Sequence, residues 1–106
     1  MKTLIVILTL AVCAMAQSAH QLGATASKHS IVLTWQLAAP YSGPPIPFQI
    51  WRNDCAPKAK FNLVGSTLGV LTWTETTNVG LGKTYCFQVT NSKGTSNIAK
   101  VTVPTT

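Results

Sequence analysis

The stretch from Ser30 to Gln36 reads Ser-Ile-Val-Leu-Thr-Trp-Gln, which sets Ile31, Leu33 and Trp35 on one face. A period of two over this length is the pattern of an extended strand with one side buried. The alternation returns from Phe48 to Asn53, with Phe48 and Ile50 on one face and Gln49, Trp51 and Asn53 on the other. Between the two runs, Leu37 to Pro47 contains Pro40, Gly43, Pro44, Pro45 and Pro47. That density breaks both helix and ladder, so the segment is a loop. Phe61 to Ser66, Val70 to Glu75, Tyr85 to Thr90 and Asn97 to Val103 are further short strands, separated by Gly65, Gly69, Gly80, Gly82 and Gly94. Many short strands between turn signals, with no helical period, predict an all-β fold built as a two-sheet antiparallel sandwich.

The chain's first residues follow a different rule. Met1-Lys2 gives a positive start, Leu4 to Val12 is apolar apart from Thr9, and Ala14-Met15-Ala16 supplies small residues ahead of Gln17. This is the pattern of a secretory signal peptide over residues 1–16. The apolar run is shorter than the roughly 20 residues a membrane span needs, so a soluble, secreted or periplasmic product is expected. Leu10-Ala11-Val12-Cys13 also resembles a bacterial lipoprotein processing site, but Val12 departs from the Gly or Ala preferred before the cysteine; ordinary cleavage near Ala16 or Ala19 is the expectation. Residues 17–28 then read as a polar lead-in and 29–106 as the domain.

Loss of the signal removes Cys13 and leaves Cys55 and Cys86, an even count in an export-competent chain, which predicts a disulfide. Closing a loop of this length stabilises by roughly 3 to 4 kcal/mol in the chain-entropy model. That matters in a domain small enough to bury only about 60 to 65 per cent of its unfolded surface. Two cysteines cannot make a four-ligand zinc site, and His20 and His29 stand at no ligand spacing from them. No metal and no cofactor are expected.

From His29 onward the order of elements resembles a fibronectin type III domain, particularly the bacterial exported kind. Ile31, Leu33 and Trp35 resemble the family's strand B with its core tryptophan, and Pro47-Phe48-Gln49-Ile50-Trp51-Arg52 resembles strand C. Val79-Gly80-Leu81-Gly82-Lys83-Thr84-Tyr85 is similar to the family's E to F corner, with Val79 in place of the commoner leucine and Leu81 where proline is usual. The resemblance implies that Tyr85 is the tyrosine-corner residue, packing by its ring and bonding backbone by its hydroxyl. It makes Trp35, Phe48, Ile50, Tyr85 and Phe87 core residues. It also brings the end of strand C to the start of strand F, where Cys55 and Cys86 stand, with parity placing their bond on the outer face. A different sandwich of the immunoglobulin-like type fits the same pattern.

Chemistry is sparse. Asp54 and Glu75 are the only acidic residues, and their turn-like settings favour solvated or turn-forming roles over paired acid and base work. No nucleophile elbow, phosphate loop, Walker motif or calcium loop occurs. An enzyme is not expected. Lys28, Arg52, Lys58, Lys60, Lys83, Lys93 and Lys100 make the domain basic, yet they are scattered, without the aromatic and arginine tract of a nucleic-acid module. The turn Asn91-Ser92-Lys93-Gly94-Thr95-Ser96 lacks the Arg-Gly-Asp tripeptide by which some members of the resembled family bind integrins. What remains is a possible binding face of Trp51, Tyr41, Arg52 and Lys93, directed at a protein or polysaccharide surface; alternatively Trp51 packs over the Cys55 to Cys86 bond. The expected function is an exported non-enzymatic binding or structural protein, with carbohydrate recognition and self-association into an envelope or surface assembly as alternatives.

Overall fold

β-Branched and aromatic residues at alternate positions favour a pleated, half-buried backbone. The computed structural model, which describes residues 18–38 and 40–105, shows strands wherever that alternation occurs. They are β1 Ala19–Ser27, β2 Ser30–Leu37, β3 Pro47–Asn53, β4 Asn62–Leu68, β5 Thr72–Glu75, β6 Thr84–Asn91, β7 Gly94–Thr95 and β8 Ala99–Thr102. The expected signal segment, residues 1–16, and its Cys13 lie outside the described residues.

One sheet has the order β1-β2-β5 and the other β4-β3-β6-β7, with β8 pairing a different stretch of β6; the pairs are antiparallel. This is the all-β sandwich that the alternation predicts. Ile31, Leu33 and Trp35 of β2 face Phe48 and Ile50 of β3 and Tyr85, Phe87 and Val89 of β6, all buried. Trp35 meets the Phe48 ring edge-on, with centroids 5.5 Å apart, a favoured geometry for aromatic pairs.

The polar lead-in expected over 17–28 is, in its described residues, mostly strand. Ala19–Ser27 forms β1, a full member of the first sheet, paired with β2 from Ala19↔Leu37 to Ser27↔Ser30. Its inward side chains are Ala19, Leu22, Ala24 and Ala26, and small alanines contrast too little with Gly, Thr and Ser to show an apolar face. A bulge between His20 and Gly23, with Gln21 at φ 52, also inverts the alternation midway. The strand expected over 97–103 is shorter, β8 at Ala99–Thr102, and a separate two-residue strand, β7 at Gly94–Thr95, precedes it. At the break the Ser96 hydroxyl accepts from Val89 N at 2.9 Å and donates to Asn97 O at 2.7 Å, replacing a stretch of ladder.

The register sorts the connections to two poles. The loops of residues 40–46, 69–71 and 92–93 gather at one end, the loop pole. The turn at 28–29 and the segments 54–61 and 76–83 occupy the other. Cys55 and Cys86 are bonded at this second, stapled pole, with Cα atoms 5.2 Å apart. Cys86 pairs with Asn53, which shares the outer face with Trp51, so the bond lies outside the sheet, and Cys86 is buried there.

Candidate functional site

Proline fixes φ and stiffens a loop, and the β2–β3 connection carries enough prolines to hold a wall without regular structure. Tyr41 folds back over Gly43, its hydroxyl donating to Pro44 O at 2.8 Å. A Cβ at Gly43 would lie 2.7 Å from that hydroxyl, so glycine is what lets the ring lie flat against the loop. Opposite, the β4–β5 turn is tied in by Gly69 N donating to Ile46 O at 2.9 Å and by Trp35 N donating to Leu71 O at 3.1 Å. Gly69 sits at φ 75, a conformation glycine adopts at no steric cost. Between the two walls runs a cleft of about 340 Å³, bounded by Leu37, Tyr41, Pro44, Pro45, Ile46 and Leu71 and floored by Phe48.

The four residues expected to form one binding face are separated. Tyr41 lines the cleft. Lys93 occupies the two-residue β6–β7 turn at the same pole, where Asn91 Oδ1 accepts from Lys93 N and Gly94 N. Trp51 lies on the outer face of the second sheet, half-buried, and its indole N–H donates to Thr90 Oγ1 at 2.8 Å. Thr90 in turn donates to Gln49 Oε1 at 3.2 Å. Since Thr90 and Cys86 lie on opposite sides of Gln88, the residue paired with Trp51, the indole nitrogen points away from the disulfide. Arg52 does not join them. It pairs with Phe87, an inward position, and its guanidinium lies 5.1 Å from the centroid of the Tyr85 ring.

There Arg52 Nη1 donates to Thr77 O at 2.9 Å and stands 3.8 Å from Glu75 Oε2. Glu75 is buried, not solvated, and its other oxygen accepts from Thr77 N at 3.0 Å, closing the turn after β5. The expectation of a turn-forming carboxylate describes this geometry; the solvated alternative does not. A second, polar hollow of about 480 Å³ adjoins Arg52, between Asn53, Asp54, Lys60 and Asn62. The cleft at the loop pole was not legible as a site. Its signal is the run Leu68-Gly69-Val70-Leu71, apolar where a solvated turn is expected.

No family model matches this sequence, and no curated protein matches it. Solved structures do. The solution structure of a fibronectin type III domain from a human protein superposes with a TM-score of 0.62 at 12% identity, covering 91% of this chain and 78% of that one. The fold is that of a fibronectin type III domain. The same fibronectin type III fold relates the chain to a β-1,2-glucanase from Parabacteroides distasonis, at TM-score 0.65 and 17% identity, covering 81% of this chain but 12% of the glucanase. It also relates it to the pectate lyase Pel3 from Pectobacterium carotovorum, at TM-score 0.61 and 19% identity, with 78% and 26% covered. The chain thus spans a small part of these two enzymes, and the likeness is one of fold. In fibronectin type III terms Tyr85 makes the corner: its hydroxyl donates to Asn78 O at 3.0 Å and accepts from Gly80 N at 2.9 Å, with its ring buried beneath Arg52.

Proposed function

We propose that this chain is an exported, non-enzymatic binding domain that holds an apolar segment of a partner protein in the cleft at its loop pole. The observation that carries this reading is the cleft itself, an apolar trough between Tyr41, Pro44 and Pro45 on one side and Leu71 on the other. Binding residues are commonly carried on loops fixed by a rigid scaffold, and aromatic side chains serve as anchors. Proline-stiffened walls lose little conformational freedom when a ligand seats, which favours affinity. The export part rests on the signal-like residues 1–16 and on a disulfide, a bond that persists in oxidising compartments. Engagement of Glu75 by Arg52 and Thr77 leaves Asp54 without a second carboxylate to work with, which supports a domain without catalysis.

The test is selection of a displayed linear-peptide library on the oxidised domain, followed by titration of enriched peptides. Apolar or aromatic anchors should emerge. Tyr41→Ala and Leu71→Glu should each weaken binding about tenfold or more, the scale of a loss of 1.4 kcal/mol, while Trp51→Ala leaves it within about twofold. Enriched peptides that ignore both cleft variants would overturn the reading.

A second reading, polysaccharide recognition, is favoured by Trp51 among Gln49, Gln88 and Thr90 on an outer face of amides and hydroxyls. Its support also includes the glucanase and the pectate lyase that contain this fold. Retention on insoluble polysaccharides that disappears in Trp51→Ala would establish it, and no retention at all would sink it.

A further inference from the structure

Lysines scattered along a sequence can be gathered by a fold, and the gathered charges then act on a ligand as one field. Lys28 stands in the β1–β2 turn, Lys58 and Lys60 in segment 54–61 and Lys83 in segment 76–83, all at the stapled pole. Arg52 lies near the end of β3 beside them, and Lys100 pairs with Cys86 next to the disulfide. Among the described residues Lys93 alone carries positive charge at the loop pole. The acids at the stapled pole are Asp54 and Glu75, and Glu75 is buried against Arg52. That pole is therefore net positive.

The polar hollow opens there. Arg52 and Asn62 pair across β3 and β4 and so share a face, and with Lys60 and Asp54 they supply its polar groups. Its volume, about 480 Å³, falls within the roughly 300–1,000 Å³ of small-ligand sites. One wall is held rigid. Cys55 staples segment 54–61, Asn53 Oδ1 accepts from Cys55 N, and Asn53 Nδ2 donates to Ala59 O at 3.3 Å. Ala59 N donates to Ala56 O at 3.0 Å, closing a turn over Ala56, Pro57, Lys58 and Ala59. With proline second and a positive φ third, this is a type II turn, whose third place calls for glycine. Lys58 occupies it at φ 63, and Cys55 is left-handed as well. Residues held in such costly conformations cluster at ligand sites.

We propose that the hollow binds one unit of an acidic saccharide, with its carboxylate or sulfate against Arg52 and Lys60 and its hydroxyls against Asn62 and Asp54. A guanidinium carries five N–H groups in a fork that suits such oxyanions, and Arg52 commits Nη1 to Thr77 O. Asp54 decides the class of ligand, since a carboxylate in the wall repels a run of phosphodiesters but accepts from a sugar hydroxyl. Among the residues that line the hollow none is aromatic, so a base has nothing to stack on. The apolar lining, Ala59 and Val64, is too slight to anchor a peptide side chain, and a recess excludes a flat lipid surface.

This site rests neither on the cleft at the loop pole nor on Trp51. The oxidised protein is titrated with tetrasaccharides of alginate, which carry carboxylates, of carrageenan, which carry sulfates, and of cellulose, which carry neither. At least one acidic tetrasaccharide should bind, the pair telling which anion is preferred, and the neutral one should not. Lys60→Gln and Asn62→Ala, both at exposed positions, should weaken binding about tenfold and about threefold. Lys93→Gln and Trp51→Ala should leave it within about twofold. Lys58→Gly separates ligand from fold: glycine suits the turn, so the urea midpoint should hold or rise while binding falls about threefold. Binding of neither acidic tetrasaccharide, equal affinity for the neutral one, or an equal loss in Lys93→Gln or Trp51→Ala would overturn the proposal. Tighter binding of single-stranded DNA or of polyglutamate at the same salt would do the same. Peptide binding at the cleft would survive each of those outcomes.

Discussion

Asn97 holds Leu22 as a neighbouring strand would: its side-chain oxygen accepts from Leu22 N at 2.9 Å and its amide donates to Leu22 O at 3.1 Å. Leu22 belongs to β1 and Asn97 to the break between β7 and β8, so one side chain ties the first sheet to the last strand of the second. Asn97→Ala leaves both backbone groups of a bulged residue unpaired. An unsatisfied group that stays buried costs about 1 to 3 kcal/mol, less where water reaches it. Urea unfolding should report a loss of about 2 kcal/mol, and amide exchange at Leu22 should accelerate more than exchange in β3.

Tyr85 offers a sharper substitution, because Tyr85→Phe keeps the ring beneath Arg52 and removes only the hydroxyl that bridges Asn78 O and Gly80 N. The expected loss is about 1 to 3 kcal/mol. Exchange protection of Gly80 should vanish while that of Phe87 persists. Equal loss at both would mean that the corner acts through packing.

Gly65 is the seat of Trp73. A Cβ there would lie 2.2 Å from the Trp73 ring, so Gly65→Ala must move the indole that closes the seam between β4 and β5. Overpacking of this kind costs about 1 to 3 kcal/mol. Tryptophan emission should shift to the red as the ring becomes wetter, and Trp73→Leu in the same chain should recover part of the stability.

The Cys55 to Cys86 bond closes a span of 31 residues. Replacing both cysteines with alanine should lower stability by about 3 to 4 kcal/mol in the chain-entropy model, a large share of the 5 to 15 kcal/mol typical of a domain. The denaturation midpoint is the measurement. A variant that unfolds at the same denaturant concentration would show that the loop of 54–61 is already held by contacts such as Cys55 N to Asn53 Oδ1, at 2.9 Å.

The sandwich was readable where large side chains alternate without interruption. β2, β3 and β6 declared themselves through Ile31, Leu33 and Trp35, through Phe48 and Ile50, and through Phe87 and Val89. β1 did not, because its inward face is mostly alanine and its bulge reverses parity at Gln21. Parity also held the answer for Arg52, since an outward Trp51 requires its neighbour to turn inward. The charge argued the other way, and the partner that makes the inward position tolerable, Glu75, lies on the opposite sheet. The cleft was hidden for a related reason: Tyr41 and Leu71 belong to separate loops, and only the register brings them to one pole.

That register gives the two poles separate fates under mutation. Disulfide, tyrosine corner and the Arg52 contact with Glu75 are concentrated at the end opposite the cleft. These ties thus stand at the pole away from the proposed binding cleft. Residues 40–45 can drift, or be randomised in a library, with the fold's deepest commitments untouched. If the cleft is the binding surface, a lineage built on this plan can change what it holds there without altering the stapled pole.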